Sequence, residues 1–485
     1  MEEIALKSAD ELASMIRNKK ISCRELLDHY LARVEKYDGD LNAIPVRDFA
    51  RAQSRADEAD VALAKGEIWG PLHGVPMTIK ESYDIAGLPT CWGLEEHAAS
   101  IPERDSITVE RMKAAGVIIF GKTNVPVMLA DWQSFNPVYG TTNNPWDKTR
   151  TPGGSSGGSA VALATGMSAL ESGSDIGASI RNPAHYCGVF GHKPTYGIVS
   201  PRGHALPGVI APSDISVVGP LARSAKDLEI ALDAMVGPAG PDANCWKVDL
   251  PPCKKTRPSD FKVAVILEDP ICAQDDAMTT QLQSSVDALS RLGMQVDFAA
   301  RPNFNNTEYH ATYIRLLRAA TAGRASSKIF DVMLEEAEQV LATDFSYKAM
   351  QAKGTTTRHR EWLKDNERRA HFREAWAAFF ENYDLLLCPA AASTAFKQDQ
   401  RGDRLDRLIP INGKLESVLD QMFWAGISSV AYLPSTVAPA GICSDGLPCG
   451  LQIVAPHGYD KHSIAFAAMM ERELGGFTPP PGYID

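Results

Sequence analysis

The sequence predicts an α/β protein whose sheet contains parallel strands. The chain has 485 residues and 44% hydrophobic content, which is enough for a large core. Short, β-prone apolar runs alternate along it with stretches of helical periodicity. The clearest case is a strand–helix–strand pattern over residues 263–267, 281–292 and 295–298, which is typical of neighbouring parallel strands.

Residues 1–70 are predicted to form an N-terminal helical segment. Ser8 and Glu11 have the spacing of a capping box, which satisfies the free backbone N–H groups at a helix start, and Ser22 and Glu25 repeat it. Apolar residues follow each box at helical spacing, and a third helix is predicted over residues 48–65. We interpret the first two helices as core-packing helices on the outside of the protein, without a chemical role.

A short apolar run from Gly74 to Ile79 predicts a strand that ends at Lys80. A lysine at the end of an inward-facing strand loses hydration, which lowers its pKa and makes a neutral amine available as a base. A strand-terminal lysine by itself is more often a surface cation. A chemical role for Lys80 therefore depends on partner groups elsewhere in the chain.

Residues 116–123, GVIIFGKT, match the P-loop pattern G-x-x-x-x-G-K-T. A P-loop follows a strand and opens a helix. Here Val117–Phe120 are themselves predicted to be the strand, because they are β-branched and aromatic, and Pro126 discourages a helix interior. We therefore expect no nucleotide binding at this motif.

Two turns of small residues lie within Thr151–Thr195, namely GGSSGGS at 153–159 and GSDIGAS at 173–179. Glycine is needed where the backbone takes a positive φ or approaches another group closely. Because both turns carry serines, they suggest a site built from backbone N–H groups and hydroxyls. A flexible Gly/Ser linker is the alternative, but apolar residues resume on both sides.

The runs GGSSGGSA and SDIGASIRNP resemble the amidase signature family, whose members hydrolyse amides with a Ser–cisSer–Lys triad. The resemblance implies that Ser179 is the nucleophile and that Ser155 is the bridging serine, on a cis peptide bond. The lysine of the family lies in a GVPxxxK context. The chain has this context at residues 74–80, which implies Lys80 as the base.

The resemblance also implies the groups around the triad. The expected oxyanion hole consists of the backbone N–H groups of Ile176, Gly177, Ala178 and Ser179. The expected supporting residues are Ser156, Asp175 and Arg181, although Asp175 and Arg181 alone would read as a plain salt bridge. The expected acyl pocket includes Met128, Leu129 and Trp132, for which ordinary core packing is an equal alternative. The chain departs from the family at Glu81, where Asp is more frequent, and at Ala178, where many members have Gly.

The fold implied by the resemblance is a single α/β/α domain over residues 1–485, with a large mixed sheet flanked by helices. A variable helical insertion is expected at about residues 305–381, broken near residues 354–357. A strand is predicted at Leu385–Leu387. The resemblance extends to the segment 446–452, GLPCGLQ.

Composition disfavours several classes of protein. The net charge of −11 and the pI of about 5.6 argue against a nucleic-acid partner, and the basic residues Arg368, Arg369 and Arg373 are interpreted as a solvated helix face. Nine scattered cysteines without close pairs argue against a disulfide framework or a zinc ribbon and fit a cytoplasmic setting. We expect no signal peptide, no membrane span, no metal and no cofactor.

We therefore predict an enzyme that hydrolyses carbon–nitrogen bonds in small-molecule amides through an acyl-enzyme intermediate, and we leave a homodimer open. Carbamate or ester hydrolysis by the same machinery is one alternative. The glutamyl-tRNA amidotransferase A-type subunit of the family is another. A Ser–His–Asp hydrolase using His185 or His192 is a weaker rival, because no G-x-S-x-G elbow is present.

Overall fold

The computed structural model describes residues 4–484. Within this range the α-helices are α1 (Ala9–Arg17), α2 (Cys23–Leu41), α3 (Phe49–Ala64), α4 (Ile107–Ala114), α5 (Gly157–Ala164), α6 (Arg181–Cys187), α7 (Ala225–Met235), α8 (Asp276–Arg291), α9 (Asn306–Thr321), α10 (Ser327–Gln339), α11 (Tyr347–Thr355), α12 (His359–Phe380), α13 (Met422–Ser429) and α14 (Asp460–Leu474).

The strands in the same range are β1 (Val46–Arg47), β2 (Pro76–Lys80), β3 (Ile118–Thr123), β4 (Phe135–Asn136), β5 (Gly140–Thr141), β6 (Glu171–Asp175), β7 (Phe190–Lys193), β8 (Val217–Ala222), β9 (Lys262–Val265), β10 (Gln295–Asp297), β11 (Leu385–Pro389), β12 (Leu408–Ile411), β13 (Lys414–Ser417), β14 (Ser435–Ile442) and β15 (Pro448–Val454).

Eight of these strands form one mixed sheet in the order β10-β9-β11-β15-β14-β7-β8-β6. The pairs β10–β9 and β9–β11 are parallel, and the remaining pairs are antiparallel. The predicted α/β class and the large mixed sheet flanked by helices are thereby confirmed, as is the parallel strand–helix–strand unit formed by β9, α8 and β10.

Helices cover both faces of this sheet, because successive residues of a strand point to opposite sides. Along β11, Leu385 and Leu387 pack into one apolar cluster, whereas Leu386 and Cys388 pack into another. The first cluster includes residues of α1, α2, α7, α8 and α14, and the second includes residues of α9, α11, α12 and α13. The predicted N-terminal helices thus belong to the first cluster.

The insertion predicted at about residues 305–381 contains four helices, α9 to α12. A break was predicted near residues 354–357. The observed break begins slightly later, because Gly354 lies inside α11 and the chain leaves the helix after Thr355. Two further breaks, at 322–326 and 340–346, were not predicted. Helix α10 has no buried residue, which sets it apart from its neighbours.

The interpretation of Arg369 as part of a solvated helix face is wrong. Its side chain is buried, and its guanidinium pairs with Asp214 at 2.7 Å. Arg368 and Arg373 do remain at least partly exposed. Arg369 is buried because α12 lies against the loop that carries Asp214, a contact 155 residues away along the chain.

The P-loop-like residues form a buried strand, as predicted. β3 includes Gly121, Lys122 and Thr123 and pairs with β1 and β2. The Lys122 ammonium is buried and donates to the carbonyl of Pro89 and to the hydroxyl of Thr90. No backbone loop in this segment is free to surround a phosphate.

Strand β2, at the edge of the three-stranded sheet β1-β3-β2, lies beside β6, at the end of the large sheet. The Thr78 N–H donates to Ser168 Oγ at 2.9 Å, and the Thr78 hydroxyl donates to Glu171. This contact between two edge strands brings Lys80 next to the residues that end β6. Among residues 4–484, no helix has both the length and the apolar character needed to cross a bilayer.

Candidate active site

Three elements supply the groups implied as the triad. β2 ends at Lys80, the loop before α5 carries Ser155 and Ser156, and the turn after β6 carries Ser179. Close packing requires glycine between them. A Cβ on Gly154 would lie 2.2 Å from the carbonyl oxygen of Asp131, so no side chain fits there.

Lys80 is completely buried and surrounded by serine hydroxyls. Its Nζ donates to the Oγ atoms of Ser155 at 2.7 Å, Ser174 at 2.9 Å and Ser156 at 3.0 Å. It makes no ion pair with an acid among residues 4–484. A neutral amine has one lone pair and two N–H donors, so it can accept the proton of Ser155 while still donating to the other two hydroxyls.

Burial lowers the pKa of Lys80 to about 7, against the opposing effect of the carboxylates of Asp175, Glu171 and Glu81. Glu171 is also buried, and desolvation raises its pKa to about 8. Its Oε2 has no hydrogen-bond partner in the described part of the chain. Near neutral pH the site can therefore hold a neutral lysine and a neutral carboxylic acid. Our sequence interpretation missed Glu171 and Ser174, although an acid inside an apolar run was a usable signal.

The peptide bond between Gly154 and Ser155 is cis, as the resemblance implies. Ser156 donates its N–H to the carbonyl oxygen of Ser179 at 3.1 Å, which holds the two turns together. The Ser179 hydroxyl makes no hydrogen bond to another described residue, and it faces a cavity that Ser155 also lines. The expected hydrogen bond between the hydroxyls of Ser155 and Ser179 is therefore not formed in this structure.

The turn after β6 presents free backbone N–H groups, with one correction to the expected set. The Ala178 N–H donates to Asp175 Oδ1 at 2.9 Å and is not available to a ligand. Within residues 4–484, the N–H groups of Ile176, Gly177 and Ser179 have no acceptor. Ala178 has a φ of 66°, a region that favours glycine, which fits the Gly that many members of the family have at this position.

Asp175 and Arg181 form a fully buried ion pair at 2.9 Å. Burial opposes ionisation of Asp175, but the Arg181 guanidinium holds the pKa of that carboxyl below its usual value. Arg181 also donates to Ser428, Ser429 and Gln452, which ties the turn to α13 and β15. The pair supports the turn and does not line the cavity.

Glu81, where the family more often has Asp, accepts the N–H groups of Cys91 at 2.6 Å and Trp92 at 3.0 Å. It therefore holds the loop that carries Trp92, a cavity-lining residue that our sequence interpretation missed.

The cavity has a volume of about 610 Å³. Met128, Leu129 and Trp132 all line it, and Trp132 Nε1 donates to the Gly177 carbonyl at 2.8 Å. Core packing alone therefore does not account for these three residues. The sequence interpretation also missed lining residues that have no motif around them: His204, Arg318, Arg324, Arg404 and Met422.

The histidines considered as rivals lie elsewhere. His185 contacts the backbone of Gly450 and Ser393, and His192 contacts Thr436 and Asp460, and neither lines the cavity. His204 does line it, but its Nε2 is 2.8 Å from the Ser82 hydroxyl, and burial lowers its pKa well below the usual value. Residues 4–484 contain no cluster of three or more His, Cys, Asp or Glu side chains able to hold a metal ion.

Comparison with known proteins gives one family. The model of the Amidase family matches residues 25–463. The A subunit of glutamyl-tRNA(Gln) amidotransferase from Synechococcus sp. (strain CC9605) is 30% identical over 495 residues, covering 95% of this chain and 97% of that protein.

Two solved structures resemble this chain over nearly their full length. That of the A subunit of glutamyl-tRNA(Gln) amidotransferase from Thermotoga maritima has a TM-score of 0.75 and 25% identity, covering 98% of this chain and 97% of that one. A bacterial aryl acylamidase of the amidase signature family has a TM-score of 0.81, covering 97% and 96%, and at 23% identity it supports the fold alone.

Proposed function

Because this chain belongs to the Amidase family of enzymes, we propose that it hydrolyses an amide with Ser179 as nucleophile, Ser155 as proton relay and Lys80 as base. Amides are poor electrophiles with poor leaving groups. Their cleavage needs an activated nucleophile, a stabilised oxyanion and a proton for the departing nitrogen. The residues around Ser179 can supply all three.

In the first step, the Ser179 oxygen bonds to the carbonyl carbon. Its proton passes to Ser155 as the proton of Ser155 passes to the neutral amine of Lys80. The carbonyl π electrons move to the oxygen, and the free N–H groups of the 176–179 turn stabilise the resulting oxyanion. Ser179 has to turn its hydroxyl towards Ser155 for this step, as catalytic hydrogen bonds often tighten only when substrate binds.

In the second step, the carbon–nitrogen bond breaks and the departing nitrogen takes a proton from Ser155, which is resupplied by the Lys80 ammonium. An acyl ester on Ser179 remains. Water then attacks this ester and gives one proton through Ser155 to Lys80. The ester C–O bond breaks, the Ser179 oxygen takes that proton back through Ser155, and a carboxylic acid is released. The lysine ends neutral, ready for another cycle.

One observation carries this proposal: among residues 4–484, the buried Lys80 amine contacts three serine hydroxyls and no carboxylate at hydrogen-bond distance. An ion pair with an acid would hold the lysine charged and unable to act as a base. Burial among hydroxyls instead favours the neutral amine while keeping it within 2.7 Å of the relay hydroxyl.

Two substrate classes are supported by different observations. The cavity, of about 610 Å³ and walled by aromatic and aliphatic side chains, favours a small-molecule amide larger than glutamine, or the corresponding carbamate or ester. The curated relatives favour glutamine as the amide, with the chain working as part of an amidotransferase. Eight of them, 29–32% identical, have the name of its A subunit. The sequence relationship therefore supports our alternative more strongly than our leading prediction.

The test uses purified chain with glutamine and with panels of aryl and alkyl amides, carbamates and esters, identifying the products by mass spectrometry. Wild type should hydrolyse at least one substrate, and Ser179→Ala should remove that activity. A serine-directed sulfonyl fluoride should label Ser179. Labelling of Ser155 or a cysteine would contradict the assignment. Ser213→Ala is the control, since Ser213 lines the cavity away from the two small-residue turns.

The same panel separates the two classes. Activity of the isolated chain on aryl or alkyl amides, with glutamine untouched, supports a free-standing amidase. Glutamine hydrolysis without activity on the larger amides supports the amidotransferase-type role. Light scattering on the same sample reports whether the chain is the homodimer that we left open.

A further inference from the structure

The cavity that contains Ser179 is lined by guanidinium groups without acidic partners. Arg318 comes from α9, Arg324 follows that helix, and Arg404 comes from the segment before β12. Within residues 4–484, none of these three arginines forms an ion pair with an acid. They come from parts of the chain about 80 residues apart and converge only in the fold.

The contacts of Arg318 leave most of its donors unused. It donates from one Nη to the Tyr347 hydroxyl and lies over the Tyr347 ring, with the guanidinium carbon 5.2 Å from the ring centre. Its Nε is buried and has no hydrogen-bond partner in the described residues. Since a guanidinium has five N–H donors, a ligand with paired oxygens could satisfy those that remain.

The other two arginines form no ion pair among the described residues, although the carboxylates of Asp131 and Asp403 act on Arg404 from nearby. Arg404 donates to the carbonyl of Ala130, and Arg324 lies over the ring of Trp92 at 5.0 Å. Only one acid lines the cavity among the described residues, Asp131, and it is already engaged by Arg407. The cavity is therefore positive, although the whole chain has a net charge of −11.

Arg318 lines the same cavity as Ser155, Ser174 and Ser179. Tyr313, earlier on the same helix α9, donates its hydroxyl to the Ile176 carbonyl at 3.0 Å, so this helix packs against the turn that carries Ser179. A substrate bound in the cavity can therefore present its amide to Ser179 and its other end to Arg318.

Burial and the nearby charge of Arg404 both act against the charged form of Arg318 and lower its pKa well below the usual value. A buried cation that lacks an anion is costly, and a bound anion would remove much of that cost. Carboxylate oxygens match the paired N–H groups of a guanidinium in spacing and in charge.

From this geometry we propose that the substrate is an amide that bears a carboxylate, and that Arg318, assisted by Arg404, binds this carboxylate in the cavity beside Ser179. The proposal rests on the proposed function, because it assigns the substrate class of the same site. Monoamides of dicarboxylic acids and ω-amides of amino acids, glutamine among them, belong to the class. Uncharged amides of equal length do not.

The test compares matched p-nitroanilides of equal length that end in either a carboxylate or a methyl group. Wild type should hydrolyse the carboxylate series with a kcat/KM roughly ten- to a hundredfold higher, as expected for a hydrogen bond to a charged group. Arg318→Met should remove most of this preference, mainly by raising the KM of the carboxylate series. Arg404→Met should reduce the preference less.

Three controls complete the test. Arg401→Met removes an arginine whose side chain is 90% exposed and should leave the preference intact. Arg318→Lys keeps the charge but not the paired donors and should restore part of the preference. Glutarate should inhibit wild type competitively and Arg318→Met at least tenfold more weakly, which would identify the arginine even if one anilide series is inactive.

The two proposals fail in different ways. Equal kcat/KM for the two series, unchanged in Arg318→Met, would overturn the carboxylate proposal and leave amide hydrolysis by Ser179 intact. Hydrolysis that survives Ser179→Ala would overturn the proposed function. If Arg318→Met does not fold, the wild-type preference and its response to Arg404→Met still decide the carboxylate proposal.

Discussion

At the scale of single residues, the protonation state of Lys80 decides whether the proposed base can accept a proton. The three hydroxyls around Lys80 can form hydrogen bonds with an ammonium as well as with a neutral amine. They therefore do not determine the charge of the lysine. Burial does, by placing the pKa close to neutrality instead of near 10.4. A small change of pH around 7 should therefore switch the proposed base on or off.

We predict that kcat/KM rises about tenfold per pH unit below pH 7 and levels off above about pH 8. The sign follows from the neutral amine being the competent form and the ammonium the incompetent one, with a pKa of about 7. Lys80→Ala should lower the plateau by ~10²–10⁴-fold and remove the acidic limb, which is the rise of kcat/KM with pH below pH 7. Initial rates from pH 5.5 to 9.5 measure both effects.

Lys122→Met is the matched control, since Lys122 is also a buried lysine but does not line the cavity. Its limb should stay at the wild-type position, with circular dichroism to verify folding of each variant. A wild-type limb in Lys80→Ala would remove lysine from the mechanism.

At the scale of elements, two edge strands and one turn decide where the reactive groups lie. β2 and β6 bring Lys80 and Ser174 together, and the turn after β6 is fixed by the Asp175–Arg181 pair. Arg181 reaches from this turn to α13 and β15. The position of Ser179 therefore depends on an ion pair that does not line the cavity.

We predict that Arg181→Met lowers the free energy of unfolding by about 3–5 kcal/mol, because Asp175 would be left buried without its counter-charge. Urea denaturation at pH 7.5 measures the change. Lys364→Met, which breaks the solvent-exposed pair with Glu361, should cost no more than about 1 kcal/mol. Equal effects of the two substitutions would show that the buried pair does not hold the turn.

The strand β3 leads to a second prediction at this scale, the absence of stoichiometric ATP binding despite GVIIFGKT. Lys122 of this motif is buried and donates hydrogen bonds to Pro89 and Thr90, and Gly121 lies in a strand that pairs with β2. Equilibrium dialysis with labelled ATP and magnesium should show no saturable binding. One-to-one binding that is lost in Lys122→Ala would show that the P-loop motif functions after all.

The sequence predicted these elements where local pattern determines structure. Capping boxes located α1 and α2, and the apolar run located β2 and its terminal Lys80. Motifs identified Ser155 and Ser179 as candidates. Local pattern could not predict the donor direction of the Ala178 N–H, which depends on how Asp175 folds back onto the turn.

Long-range contacts account for what the sequence did not predict. Arg369 lies in a charged helix and looked solvated, yet it contacts a loop 155 residues away. Arg318, Arg324 and Arg404 stand in segments without a motif, and only the tertiary fold brings them to one cavity. Charge spacing along one helix contains no information about such convergence.

At the scale of the whole molecule, the sheet separates two apolar clusters of different character. The cluster that includes the N-terminal helices is built from buried helix faces, whereas the opposite side also carries α10, which buries none of its residues. Ile329 and Met333 of α10 line the cavity instead. A helix with no buried residue loses little when it opens.

We predict that limited trypsin digestion first cuts after Arg324 or Lys328, at the start of α10, as mass spectrometry of the early fragments should show. Helix α8 is the internal control. It is also at the surface and ends at Arg291, but it buries Met278, Leu282, Val286 and Leu289. Cleavage after Arg291 before any cut near α10 would contradict the prediction.

The proposed reacting groups and the rest of the cavity lining come from separate stretches of the chain. Lys80 and the serines lie between residues 80 and 179, whereas His204 and Ser213 line the cavity from the stretch 201–216, and Arg318, Arg404 and Met422 line it from the stretch 317–422. Mutations in the stretch 317–422 can therefore change which substrates bind and leave the proposed catalytic residues unchanged. Related enzymes can therefore diverge in substrate while keeping the same reaction. A chimaera that exchanges residues 317–422 between two relatives should show the substrate preference of the relative that supplied these residues.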